Sequence, residues 1–216
     1  TIIIYTVCIP LGVFKAIKHG SIGDNLSSVS IFVGYAIPGY ALGAILVVFL
    51  GARLGMFPIF GLTSENFSDM STWGQIKDVA HHTVLPLICF VIGGFAFLTM
   101  MMKNNLMENL SSDYVRTAMA KGVTFRRAVT KHAFRNSFIP IATGLGGLIT
   151  LFVSGSMLIE RVFDIQGFGL LQFQAVQAVD IDVIMGTLTI SALLMLLGNI
   201  LSDVIVAFVD PRIKFN

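Results

Sequence analysis

The sequence predicts an all-α fold, a polytopic bundle of transmembrane helices, and three observations predict it. Of the 216 residues, 55% are hydrophobic and 12% are charged, where a soluble globular domain carries about 25% charged residues. The apolar residues gather in five runs, 1–17, 29–50, 84–102, 137–159 and 184–209, and the mean hydropathy is +0.85. Eleven of the 14 basic residues fall in or beside alternate connections between those runs or at the C-terminal end.

Each run can be justified in turn. A helix needs about 20 apolar residues to cross the hydrocarbon core. The middle three reach that length, and 184–209 is long enough to tilt. The run 1–17 is short, and it has no initiator Met, basic n-region or small-residue cleavage site. It is expected to be the remainder of a span whose N-terminal part is missing, not a signal peptide. None of the runs alternates with period 2, so a membrane barrel is not expected. Helices satisfy their own backbone where lipid offers no partner.

Orientation follows from the Lys and Arg distribution. Lys15 and Lys18 flank the first connection. Lys103, Arg116, Lys121, Arg126, Arg127, Lys131 and Arg135 lie in the third, and Arg212 and Lys214 close the chain. The opposite side keeps Arg53, Lys77 and Arg161 beside the acids Glu65, Asp69, Asp78, Glu160, Asp164, Asp180 and Asp182. The basic side, with the C-terminus, is expected to be cytoplasmic. Basic residues clustered in a loop between apolar spans are no footprint for nucleic acid.

Small residues inside the runs suggest close helix packing. Gly39 and Gly43 form a GxxxG pair beside Pro38, and Gly144, Gly146, Gly147, Ser154, Gly155 and Ser156 punctuate the fourth run. Packing within the chain is favoured over a subunit contact for these. Pro38 is expected to kink its helix; whether such a kink lines a pathway or only bends the helix stays open. Cys8 and Cys89 lie in apolar runs and are expected to pack as small hydrophobes.

Catalytic chemistry is missing. His81 and His82 are adjacent, so they point about 100° apart on a helix. His19 and His132 have no Cys or carboxylate cluster at ligand spacing. No metal site and no bound cofactor are expected. There is no GxxxxGK[ST] phosphate loop, so ATP-driven work would need an ATPase on another chain. Asp203 is the one acid clearly inside a span. It is either a functional group or a partner for a neighbouring helix near the cytoplasmic end.

The stretch 111–140 is the most informative. Ser112 or Asp113 can cap a helix over 114–121, and Gly122 suits the left-handed residue that ends it. Thr124 can cap a second helix, 125–136. On it Arg127, Lys131 and Arg135 recur along one face, and Phe125, Val129 and Ala133 along another. Such a basic amphipathic helix can lie on anionic lipid, stay solvated, or dock on a soluble partner.

The run from Asp113 to Gly122, DYVRTAMAKG, followed by His132, Arg135, Asn136 and Pro140, resembles the EAA loop of ABC-importer permeases. It is most similar to the dipeptide and oligopeptide branch. Pro10 to Val13 through Gly20 and Ser21, Glu160 to Phe163 with Gly167 to Leu170, and Asp210 to Ile213 resemble further segments of that family, in its order. The likeness covers essentially the whole chain.

The resemblance implies a type I (MetI-like) importer permease in the bacterial inner membrane, occupying 1–216. Its N-terminal span would be missing, because the family has six. It implies that 111–140 inserts into an ATPase subunit, with Asp113, Arg116, Thr117, Ala118, Gly122, Arg127, Lys131 and Arg135 as the coupling residues. Arg116, Thr117 and Ala118 fall on the E-A-A positions, so the family's Glu is absent. The implied partners are ABC ATPase subunits that use ATP and Mg, a second and related permease, a periplasmic peptide-binding protein, and membrane lipid. Loop 51–83 and the ending 212–216 are similar to the importers that also admit microcin C. An ion-coupled carrier and a non-transporting scaffold remain the alternatives.

Overall fold

The computed structural model describes residues 2–145 and 155–209, which form helices and no strand. In chain order these are α1 (Ile2–Ile17), α2 (Ile22–Ala36), α3 (Gly39–Arg53), α4 (Thr72–Ser111), α5 (Asp113–Ala120), α6 (residues 125–143), α7 (Met157–Val162), α8 (Phe168–Ala178) and α9 (Ile181–Val209). Two of them, α4 and α9, are long and apolar enough to cross a membrane, and α2 with α3 makes a third if the bent pair counts as one span. Five spans are therefore not reproduced among the described residues. Within the first run Ile2–Ile17 forms a 16-residue helix, and the run 137–159 includes 146–154, which lie outside the described residues, Gly146, Gly147 and Ser154 among them.

The expected kink at Pro38 is a break. Helix α2 stops at Ala36, α3 starts at Gly39, and the two meet at 90°. Proline has no N–H to continue the ladder and pushes its predecessor away from the helical region. Pro38 itself is extended, with φ −56° and ψ 135°. Its carbonyl then accepts the Leu42 N–H at 3.0 Å and starts the new helix. The last part of α3, Val47–Arg53, is π-helical.

The described residues fall in two compact units, one from 2–32, 95–145 and 192–209, the other from 33–94 and 155–191. The first has a core of Cys8, Ala16, Leu98, Met102, Leu106, Val115, Ala128, Val129, Ala133 and Ile141. Gly12 lets α1 lie directly on α4, because a Cβ there would sit 2.6 Å from Met102 Cβ and 2.8 Å from the Thr99 carbonyl. Alanine normally favours a helix over glycine by about 1 kcal/mol. At this position the sign should reverse, with Gly12→Ala costing about 3 kcal/mol as overpacking. A lowered melting temperature of the purified protein in detergent checks this.

The second unit packs Val47, Leu85, Cys89, Ile159 and Phe163. The GxxxG pair works inside the chain. A Cβ on Gly39 would meet the Cys89 carbonyl at 2.8 Å, and one on Gly43 would meet the Phe163 ring at 3.0 Å. Cys8 and Cys89 are both buried and unpaired. Loop 54–71 is tied to the start of α4 by Asp78, which accepts the Ser64 N–H at 2.8 Å and its hydroxyl at 2.5 Å. His81 Nε2 bonds the Met56 carbonyl at 2.8 Å, and His82 Nδ1 bonds the Asp78 carbonyl at 2.9 Å. The two histidines thus serve separate local contacts.

Candidate functional site

The segment 111–140 hangs from the end of α4. The hydroxyls of Ser111 and Ser112 both donate to the Glu108 carbonyl, at 2.8 and 3.1 Å. Ser112 is extended, and its own carbonyl accepts the N–H groups of Val115 and Arg116 at 3.1 and 3.2 Å. Helix α5 therefore starts at Asp113 and ends at Ala120, one residue earlier than 114–121. Ser112 holds the cap position, but its side chain is turned back to α4. At the other end Gly122 has φ +90°, a left-handed conformation that glycine adopts without a Cβ clash. Its N–H bonds the Met119 carbonyl at 2.9 Å, and the Val123 N–H bonds Ala118 at 3.2 Å.

Only Val115 of α5 is fully buried, and it sits in the same core as Leu106, Ala128, Val129 and Ala133. Asp113, Arg116, Thr117 and Gly122 are exposed, and Ala118 is half-buried. The Asp113–Arg116 pair is 3.9 Å apart, with both side chains largely in solvent. A pair of that kind contributes little to stability.

Helix α6 differs from the expected amphipathic helix 125–136. It continues to Thr143, and Ala128–Ala133 is π-helical. Bonds of the i→i+5 type widen the turn, yet both expected faces are kept apart from Phe125. The buried side of this stretch is Ala128, Val129, Ala133 and Ser137, while Phe125 is exposed. Arg127, Lys131 and Arg135 are exposed together. Thr124 holds the cap position of α6 without a side-chain bond.

Two polar links fix α6. Asn136 Nδ2 donates to Tyr114 Oη at 3.2 Å, and that hydroxyl donates to Asn109 Oδ1 at 2.7 Å. Asn105 and Ser137 exchange side chain-to-carbonyl bonds of 3.4 and 3.2 Å with α4. The result is an outward-facing helical hairpin on a buried seat. Its outer surface offers small residues, backbone and cations. Among the described residues no group of three or more His, Cys, Asp or Glu could hold a metal.

Asp203 is exposed on α9. The bond to a neighbouring helix is made one residue earlier, where the buried Ser202 hydroxyl donates to the Ala142 carbonyl at 3.3 Å and to the Thr143 carbonyl.

Charge counting along the chain misses a buried ion cluster. Asp24 is 0% exposed, as is Lys15, and Lys103 is 6% exposed. Lys15 Nζ lies 2.9 Å from Asp24 Oδ1 and donates to the Asp24 carbonyl, Ser27 Oγ and Ser28 Oγ at 2.7, 2.7 and 2.8 Å. Lys103 Nζ reaches both carboxylate oxygens at 2.8 Å. The Gly20 N–H donates to Oδ2 at 3.0 Å, and the exposed His19 lies 3.4 Å from it. At the start of α2 the Asp24 N–H donates to Ser21 Oγ at 3.2 Å, so the Ser21 side chain caps the helix. Lys15 and Lys103 each stand at one end of an apolar run, and that placement is the one signal in the sequence.

A second missed residue is Glu160, only 4% exposed. Its carboxylate accepts the N–H groups of Gly169 and Leu170, at 3.4 and 2.6 Å. These are the donors that a cap side chain would satisfy at the start of α8. The cap position is Gly167, where a Cβ would overlap Glu160 Cδ and lie 2.6 Å from both its oxygens. The Glu-to-Gly spacing in ERVFDIQGFGL thus encodes a borrowed helix cap. Next to it Phe60, Arg161, Asp164, Gln166, Leu170 and Gln174 line an open cavity of about 400 Å³.

Residues 8–215 match the family model described as binding-protein-dependent transport system inner membrane component. The chain is 44% identical over 218 residues to the inner membrane ABC transporter permease protein YejB of Escherichia coli O157:H7, covering 100% of this chain and 60% of that protein. It is 39% identical over 217 residues to the peptidoglycan transport system permease protein YejB of Agrobacterium fabrum, covering 99% and 60%. To the oligopeptide transport system permease protein AppB of Bacillus subtilis it is 36% identical over 215 residues, covering 100% and 66%. The chain thus spans about 60% of the length of the first two relatives. With apolar helices of membrane-crossing length and a family match across nearly all its residues, the chain belongs to the binding-protein-dependent transport system inner membrane components.

Proposed function

We propose that this chain is the permease subunit of an ATP-driven ABC importer for peptides. The observation that carries the reading is the hairpin α5–Gly122–α6, which presents Asp113, Arg116, Thr117, Ala118, Arg127, Lys131 and Arg135 from a packed, buried seat. A rigid seat with an exposed tip suits a part that transmits force to or from a partner. In this reading 111–140 is the coupling loop of one permease domain, faces the cytoplasm, and docks on an ATPase subunit that binds ATP and Mg. Five spans of the bilayer, the C-terminus inside, a related second permease and a periplasmic peptide-binding protein complete it. The protein itself catalyses nothing. Two of the relatives are named for oligopeptide and dipeptide transport, and peptides are the substrate class proposed here.

Co-purification with the ATPase tests the docking. Gly122→Pro should abolish it, because proline cannot take positive φ. The triple variant Arg127/Lys131/Arg135→Glu should weaken it at least about tenfold if several exposed charge pairs are reversed at the contact. Equal retention of the ATPase by all three proteins, with equal peptide uptake, would remove the assignment.

A further inference from the structure

We infer that Lys103, gripped by Asp24, is a positioning residue that transmits movement of α5 to the α1–α2 turn; this rests on the permease reading above. The charges of the cluster do not balance. Lys15, at the C-terminal end of α1, has four acceptors within 2.9 Å, all on or just after Asp24. Lys15 and Asp24 alone make a neutral, fully bonded turn. Lys103 brings a second ammonium into that site from 79 residues away. Its burial carries a desolvation cost that an apolar side chain of similar volume would avoid. Stability is therefore a poor reason for a lysine here.

What Lys103 adds is a mechanical link. It bonds both oxygens of Asp24 at 2.8 Å, a charge-assisted grip in a dry site. Its neighbour Met102 and, one turn on, Leu106 are both 0% exposed and share a core with Val115 of α5. Five residues after Leu106 the helix ends at Ser111, and α5 begins two residues later. A displacement of α5 therefore meets α4 through Val115 and Leu106, and meets α1 and α2 through Lys103 and Asp24. All of these residues belong to one compact unit.

The test uses the intact permease in its complete importer, reconstituted in proteoliposomes, with Lys103→Met, Lys103→Gln and Lys103→Arg. Lys103→Met leaves the neutral Lys15–Asp24 pair, so the yield of assembled complex and its melting temperature should hold or rise. Peptide taken up per ATP hydrolysed should fall by about tenfold, the size of an ordinary coupling between sites. Lys103→Arg, which can still grip both oxygens, should recover most of that ratio. The inference is overturned if Lys103→Met keeps the wild-type ratio, or if Met and Gln variants both fail to assemble, because the cluster is then purely structural. A wild-type importer without ATP-driven uptake overturns the permease reading first, before any variant is compared, and this inference with it.

Discussion

Asp24→Asn should cost about 3–5 kcal/mol, the penalty for leaving a buried charge without its partner. The substitution keeps the shape of the side chain, so packing changes little. It strands two ammonium groups, Lys15 and Lys103, in a site that is almost closed to water. Ser27, Ser28 and the Asp24 carbonyl still accept from Lys15, but none of them bears a charge. Marginal stability of about 5–15 kcal/mol leaves little room for such a loss. The measurement is the amount of protease-resistant protein in the membrane and its melting temperature after extraction. Adding Lys103→Met to Asp24→Asn should restore part of the loss, because one stranded charge is removed. The two changes touch the same group, so their effects should be non-additive. High salt should not rescue the single variant, because buried charges are screened little.

Glu160→Ala should cost about 2–4 kcal/mol, since two buried backbone donors lose their acceptor and a cavity remains. Those donors, on Gly169 and Leu170, start α8. The same site supplies a rescue. Gly167 lacks a side chain because the Glu160 carboxylate occupies its place. Once Glu160 is alanine there is room, and a local cap can take over. Glu160→Ala with Gly167→Ser should therefore recover about 1 kcal/mol of the loss, the usual worth of a serine cap. Gly167→Ser alone should destabilise, because it collides with Glu160. Opposite signs for one substitution in two backgrounds, read as melting temperatures, would identify the borrowed cap.

Much of this molecule was legible in the chain. Apolar run lengths gave α4 and α9, and Pro38 marked a discontinuity at the right residue. A proline announces that the ladder is interrupted; it does not announce whether the helix bends or breaks by 90°. Gly122 was legible because positive φ restricts the choice of residue. The two faces of α6 were legible as well, with Val129 and Ala133 buried and Arg127, Lys131 and Arg135 exposed, but the exposure of Phe125 and the π-helical turn Ala128–Ala133 were not. Lys15 and Lys103 show why charge counting along loops misleads. It cannot see that Asp24 stands between them, 9 residues from one and 79 from the other. Glu160 escaped for the same reason, since its partners are backbone N–H groups that any sequence supplies.

In the proposed function this chain moves peptides when a partner hydrolyses ATP. The most direct test is uptake of a labelled peptide by proteoliposomes holding the intact permease, its second permease, the ATPase subunits and the binding protein. Uptake is expected with ATP and Mg, none with a non-hydrolysable analogue, and loss of uptake with Gly122→Pro. Uptake driven by an ion gradient without ATP, or by this chain without an ATPase, would contradict it.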